Sequence, residues 1–247
     1  MNPQLQLVDI THELSPFNVP QTAYVCRNAL QQFPPGSFHM ILVNLFEKKP
    51  DHMLLVKHMD QYLLLADNGL ITMILEEIPK EIIAIPLDKS RPRNTLLCVE
   101  TWAKAIKAIL EGQHLAALGN KDVSIEVRNP LRPVTTLQYI EGQIIFVDHF
   151  ENVIVNITRE AFEEQRKGRS FRIVFKRDEV IDRISETYAD VPEGEKLALF
   201  NAAGYLEIAI NKGNAAGLFG LTGFSEKNIG QYAQSRLFYQ TVRVFFE

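Results

Sequence analysis

Cysteine is scarce in this 247-residue chain, which has only Cys26 and Cys98, far apart in the sequence. No Cys-x-x-Cys pair occurs, and the six histidines do not cluster. Widely separated cysteines are typical of a reducing compartment, and they offer none of the spacings that bind zinc. We therefore expect a cytoplasmic protein without a metal site.

An excess of positive charge and long apolar runs are also lacking. The formal net charge is -4, and a chain without a basic face is a poor partner for nucleic acid. No stretch approaches the ~20 apolar residues of a membrane helix, and no basic segment followed by an apolar run opens the chain. We expect neither nucleic acid nor a membrane as partner.

The common local signatures of catalysis are absent as well. The sequence contains no Gly-x-Gly-x-x-Gly, no Walker A phosphate loop, no His-Glu-x-x-His and no Gly-x-Ser-x-Gly. These motifs mark dinucleotide-binding proteins, nucleotide hydrolases, zinc proteases and serine hydrolases respectively. Their absence leaves those four classes without local support.

The two halves of the chain differ in pattern. In residues 1–125 apolar strand-like runs alternate with helical patterns, which predicts an α/β domain with a mostly parallel sheet and flanking helices. Residues 130–247 are mostly short alternating strands, which predicts an all-β, barrel-like domain or a sandwich. Clefts at domain boundaries often bind small molecules.

Polar residues cluster in the alternating stretch 139–157, where Asp148, Asn152 and Asn156 follow one another closely. An ionised carboxylate only accepts hydrogen bonds, whereas a carboxamide both donates and accepts. This mixture suits a ligand that carries an ammonium and a carboxylate, as an amino acid does. The alternative is that these side chains satisfy the backbone of a turn, which Asp and Asn often do.

Two further candidates follow apolar runs in the first half. Asn44 lies near the end of the run 38–46, and Asp67-Asn68-Gly69 separates a strand pattern from an apolar helix. Polar turns between a strand and a helix commonly meet ligands. Asp67 is equally well explained as the N-cap of that helix.

Five segments, in the same order, make the chain similar to the S-adenosyl-L-methionine hydroxide adenosyltransferases, relatives of the bacterial fluorinase and chlorinase. The resemblance spans almost the whole sequence. The segments are residues 8–13 (VDITHE), 33–37 (FPPGS), 66–70 (ADNGL), 147–152 (VDHFEN) with 156–157 (NI), and 201–209 (NAAGYLEIA) with Asn211.

The resemblance implies a reaction and an assembly. A nucleophile, here expected to be water, would displace methionine from the ribose C5′ of S-adenosylmethionine, which is substrate or ligand, so no separate cofactor is expected. The ligand would thus be a nucleoside carrying a sulfonium. The family also implies a homotrimer, with each site between the N-terminal domain of one subunit and the C-terminal domain of its neighbour.

The resemblance also assigns roles to residues. Asp148 and Asn152 would hold the methionine end, and Asn211 would lie by the adenine. Asn44 replaces the aspartate of an Asp-Pro-Gly-Val-Gly motif, and Cys98 falls where a halide-using relative has a serine, so both are candidate catalytic residues. The predicted substrate-binding residues are Asp67, Asn68, Asp148, Phe150, Asn152, Asn156, Asn201 and Asn211.

Several family groups are replaced in this chain. A Thr-Asp-Phe-Gly segment, whose aspartate would hold the ribose hydroxyls, has no counterpart, so we expect a misplaced start or a truncation. Lys48 or Lys49 would stand in for an arginine, and Leu97 occupies the position of a histidine. Replacements elsewhere in the motifs are Glu151 for a glycine and Ala202 for a serine, followed by Ala203. Two alternatives therefore stay open: a homologue that binds S-adenosylmethionine or adenosine without turnover, and a structural protein with a vestigial site.

Overall fold

The computed structural model describes residues 5–15, 18–176, 179–221 and 240–247. The chain divides into two compact units, Met1–Pro130 and Leu131–Glu247. Each unit has a hydrophobic core of its own.

The N-terminal unit combines helices with one four-stranded sheet. Asn18 caps α1, because its side-chain oxygen accepts a hydrogen bond from the Gln21 amide at 3.1 Å, and Asn94 caps α3 through the Leu97 amide at 2.9 Å. The elements are α1 (Val19–Gln32), β1 (Phe38–Met40), β2 (His52–His58), β3 (Gln61–Leu65), α2 (Leu70–Leu75), β4 (Glu81–Pro86), α3 (Thr95–Leu110) and a 3-10 turn (Leu115–Ala117).

The sheet is mixed, so the expectation of a mostly parallel sheet was wrong. Its strand order is β1-β3-β2-β4, and only β1 and β3 run parallel. The reason lies in the link between β2 and β3, where Met59 and Asp60 have φ angles of 48° and 56°. Two residues with positive φ form the tight turn of an antiparallel hairpin.

Apolar side chains project from both faces of the sheet into the core of the unit. Met53 and Leu55 of β2 pack in a cluster with Trp102 of α3, whereas Leu54 and Val56 pack with residues of α1 and α2. Successive side chains of a strand point to opposite faces. Burial on both faces accounts for the continuous apolar sequence of β2.

In the described part of the C-terminal unit, residues 131–176, 179–221 and 240–247, the strands pair antiparallel and one α-helix, α4, accompanies them. The strand order is β10-β11-β7-β6-β12-β8-β9, with β5 beside β6, and an ion pair between Lys196 and Glu179 links the two end strands. The prediction of a barrel-like fold for this half is confirmed. The elements are β5 (Val134–Thr135), β6 (Tyr139–Val147), β7 (Val153–Thr158), α4 (Arg159–Arg166), β8 (Phe171–Phe175), β9 (Glu179–Ile181), β10 (Lys196–Phe200), β11 (Tyr205–Ile210), β12 (Thr241–Phe246) and two 3-10 turns (Tyr188–Asp190 and Ala216–Phe219).

Candidate functional site

The parallel strands β1 and β3 bring three of the predicted residues together. Asn44 follows β1, and Asp67 and Asn68 follow β3, at the same edge of the sheet. The Asn68 side-chain amide donates to the carbonyl oxygens of Val43 and Asn44, at 3.2 and 3.1 Å. Carboxyl ends of neighbouring strands are where open α/β sheets usually bind ligands.

Asp67 is held by two donors at this edge. Its Oδ1 accepts from the Glu126 amide at 2.8 Å, and its Oδ2 lies 3.3 Å from His52 Nε2. Burial alone would raise the pKa of Asp67, but the hydrogen bonds from His52 and Glu126, with the nearby positive charges, lower it below its ordinary value. Asp67 is therefore an anion at neutral pH.

The alternative in which Asp67 caps α2 is wrong. The N-cap of α2 is Gly69, which has a φ of 80° and no side chain with which to cap the helix. The Leu70 amide instead donates to Asn68 Oδ1 at 3.2 Å. Asp67 is thus turned to His52 and Glu126 rather than to the helix that follows it.

Arg128 is fixed against the same turn. Its backbone amide and carbonyl both bond to the Thr72 hydroxyl, at 2.9 and 2.8 Å, and its Nη2 lies 2.6 Å from Glu47 Oε1. A Cβ on Gly69 would lie 2.4 Å from Cγ of Arg128. The glycine therefore makes room for the stem of the arginine.

Glu47 links this arginine to Asn44, whose Nδ2 donates to Glu47 Oε2 at 2.6 Å. Lys48, expected to stand in for a family arginine, pairs instead with Glu126 at 2.8 Å. A guanidinium is thus present at this edge, contributed by Arg128. We use the name edge cluster for Asn44, Glu47, His52, Asp67, Asn68 and Arg128.

Cys98 occupies a different environment. It is completely buried and packs with Trp102 and other apolar side chains of the core, and burial raises the pKa of its thiol. Leu97 is also buried there. Cys98 is therefore a neutral thiol in an apolar core, and its catalytic role stays a prediction.

In the C-terminal unit, Asp148 organises the loop between β6 and β7. Its Oδ1 accepts from the amides of Phe150 and Asn152 at 2.9 and 2.8 Å, and its Oδ2 accepts from Asn152 Nδ2 at 3.1 Å. Asn152 is buried, whereas Phe150 is 77% exposed. A carboxylate has about four lone-pair sites, so these three bonds do not exhaust its capacity to accept.

The remaining predicted residues bond to the main chain. Asn156 accepts from the Gln143 amide at 2.6 Å and donates to the Leu131 carbonyl at 2.8 Å. Asn201 Oδ1 accepts from the Tyr205 amide at 3.1 Å, and Asn211 donates to the Val191 carbonyl at 2.9 Å. These contacts agree with the alternative of backbone satisfaction, and the binding roles of Asn156, Asn201 and Asn211 stay predictions.

Glu207 and Tyr188 lie close to Asp148, although neither was predicted from the sequence. Glu207 is 4% exposed and accepts from the Tyr188 hydroxyl at 2.6 Å. It lies opposite Ile154 of β7, so strand alternation places it on the face of Asn152. Burial and the charge of Asp148 raise the pKa of Glu207, against the hydrogen bonds from Tyr188 and Asn201.

A signal for Glu207 was available, because a glutamate within the apolar run of β11 must be buried with a partner. No comparable signal marked His52 or Arg128. We use the name barrel cluster for Asp148, Asn152, Tyr188, Asn201 and Glu207.

The described residues contain neither a candidate metal site nor a membrane-spanning helix. No group of three His, Cys, Asp or Glu side chains among them is placed to hold a metal ion. In the same part of the chain, no helix combines the length and the apolar character needed to cross a membrane.

Curated relatives resemble the chain over most of its length. It is 24% identical to the (R)-S-adenosyl-L-methionine hydrolase of Methanocaldococcus jannaschii, over 92% of this chain and 84% of the relative. It is 26% identical to the enzyme of the same name from Thermus thermophilus, over 87% of this chain and 84% of the relative.

A solved structure is also similar. The crystal structure of an uncharacterized conserved protein from Thermotoga maritima has a TM-score of 0.78 and 26% identity, covering 99% of this chain and 90% of that one.

Family models match both units. The model of the SAM hydroxide adenosyltransferase N-terminal domain matches residues 1–119, and that of the C-terminal domain matches residues 142–226. The matches confirm the resemblance drawn from the five sequence segments. The chain belongs to the SAM hydroxide adenosyltransferase family.

Proposed function

We propose that this protein cleaves S-adenosylmethionine by nucleophilic substitution at the ribose C5′, releasing methionine, with water as the nucleophile. The observation that carries the proposal is the match of both family domains. The names of the two curated relatives, which are hydrolases, support water as the nucleophile.

The chemistry makes modest demands on the protein. Because a sulfonium is already a good leaving group, the protein has to align the nucleophile, exclude other water and hold both ends of the substrate. S-adenosylmethionine is the substrate, and the reaction requires no further cofactor.

The two clusters divide these tasks in our proposal. Asp148 and Asn152 bind the methionine end, where a carboxylate faces the ammonium. Asp67, Asn68 and Asn44 act on the nucleophile and the nucleoside from the edge of the N-terminal sheet. The further contacts proposed for the nucleoside are Phe150, Asn156, Asn201 and Asn211.

Overnight incubation with S-adenosylmethionine, followed by chromatography, tests the proposal. Adenosine and methionine should accumulate in equal amounts and in proportion to the protein added. Heat stabilisation by S-adenosylmethionine without either product would instead indicate a binding protein. If S-adenosylmethionine neither stabilises the protein nor gives products, that result would contradict any role for this ligand.

We also propose that the chain acts in the cytoplasm as a homotrimer whose active sites are shared between neighbouring subunits. The support is family membership. Sedimentation equilibrium should give three times the chain mass of 28.2 kDa. A concentration-independent mass of one chain would contradict the trimer, and recovery in the membrane fraction would contradict the compartment.

A further inference from the structure

We propose that His52, held by Asp67, is the base that accepts the proton of the attacking water. This inference rests on the proposed function and adds a catalytic residue to it. In the sequence comparison the position of a family histidine is occupied by Leu97, which lies in the apolar core.

The reaction with water needs a proton acceptor. As the water oxygen bonds to C5′, the C5′–S bond breaks and its electron pair remains on sulfur, which leaves as the thioether of methionine. The oxygen then carries one proton too many, and transfer of that proton to a base gives adenosine. A positioned base contributes about 10²- to 10⁴-fold to such a step.

The geometry of His52 fits this role. Its Nε2 lies 3.3 Å from Asp67 Oδ2, and the two side chains are 30% and 17% exposed. A carboxylate only accepts, so this contact places the ring proton on Nε2 and leaves Nδ1 as the acceptor. After proton transfer the imidazolium faces an anion, which stabilises the charged product of the step.

Asp67 is itself fixed, which sets the direction of the imidazole. The Glu126 amide holds its Oδ1 at 2.8 Å, so the carboxylate cannot rotate freely. An acid that orients a histidine and fixes its tautomer is the arrangement found in catalytic triads. His52 is the first residue of β2 and Asp67 follows β3, so both sit on a rigid sheet beside Asn44 and Asn68.

Two other carboxylates at this edge are already paired with cations. Glu47 binds Arg128 at 2.6 Å, and Glu126 binds Lys48 at 2.8 Å. Both carboxylates are therefore already engaged by a positively charged side chain. His52, whose Nε2 faces Asp67 and whose Nδ1 is left as an acceptor, is therefore the suitable group to receive the proton.

The test compares His52→Gln with His58→Gln, a matched variant at the other end of β2. We expect His52→Gln to lower kcat by at least about 100-fold while KM stays close to that of the wild type. His58→Gln should keep the wild-type kcat. Asp67→Asn should also lower kcat, because an amide disturbs the orientation and the charge on which the imidazole depends.

Chemical rescue separates a base from a structural residue. Added imidazole should restore adenosine formation in His52→Ala, with a rate that rises with imidazole concentration, and should not accelerate the wild type. A defect of folding would not respond to imidazole.

Two results would overturn the inference: wild-type kcat in His52→Gln, or a slow His52→Ala that binds S-adenosylmethionine normally but is not rescued. The missing rescue of His52→Ala would overturn the inference even if His52→Gln fails to fold. Failure of the proposed function looks different, because the wild-type protein itself would then form no adenosine.

Discussion

Asp148→Asn is expected to lower kcat/KM for S-adenosylmethionine by about 10- to 100-fold. The physical reason is loss of a charge-assisted hydrogen bond to the ammonium of the methionine end, a contact worth roughly 1.5–3 kcal/mol. Steady-state measurement of adenosine formation gives the ratio directly. Binding of adenosine, which has no ammonium, should be unchanged.

Asparagine is the informative replacement because Asp148 also holds its own loop. Its Oδ1 accepts from the amides of Phe150 and Asn152, and an asparagine oxygen can accept the same two bonds. Asp148→Ala removes both the charge and these bonds, so it should abolish adenosine formation.

Asp182→Asn, at an exposed aspartate of the same unit, is the matched control and should retain full activity. A wild-type kcat/KM in Asp148→Asn would show that the carboxylate serves the loop alone. An equal loss of adenosine binding would point to a general disturbance of the site.

The change from an α/β half to a β half was predictable, because composition and hydrophobic period change along the chain. Strand direction was not. The apolar runs of β2, β3 and β4 have the same appearance whether their neighbours run parallel or antiparallel. The deciding turn, Met59-Asp60, lacks the Asn-Gly or Gly signal that normally marks such hairpins.

Some residues of the candidate sites were likewise predictable from the sequence, and others were not. Asp67 and Asn68 were predicted because each lies in the polar turn that directly follows a strand, a position visible in the sequence even though their partners are distant. His52 and Arg128 were missed because their partners come from distant segments: Arg128 bonds to Thr72, 56 residues away. Such pairings depend on how strands are ordered in the sheet, which a single sequence does not specify.

The largest expected loss of stability belongs to Phe162→Ala. Phe162 of α4 is fully buried in the core of the C-terminal unit. Its ring centroid lies 5.0 Å from that of Phe171, 5.3 Å from Phe200 and 5.8 Å from Phe246. Removing the ring leaves a cavity between three aromatic side chains from different strands.

We therefore expect Phe162→Ala to lower the free energy of unfolding of this unit by about 3–5 kcal/mol. Urea unfolding followed by far-UV circular dichroism measures it, while fluorescence of the single tryptophan, Trp102, reports on the N-terminal unit. Phe150→Ala, at a 77% exposed ring of the same unit, should change stability by no more than about 0.5 kcal/mol. Phe162→Leu should have an intermediate effect, because it leaves a smaller cavity. If Phe162→Ala destabilised the unit as little as Phe150→Ala does, Phe171, Phe200 and Phe246 would have to repack and fill the cavity.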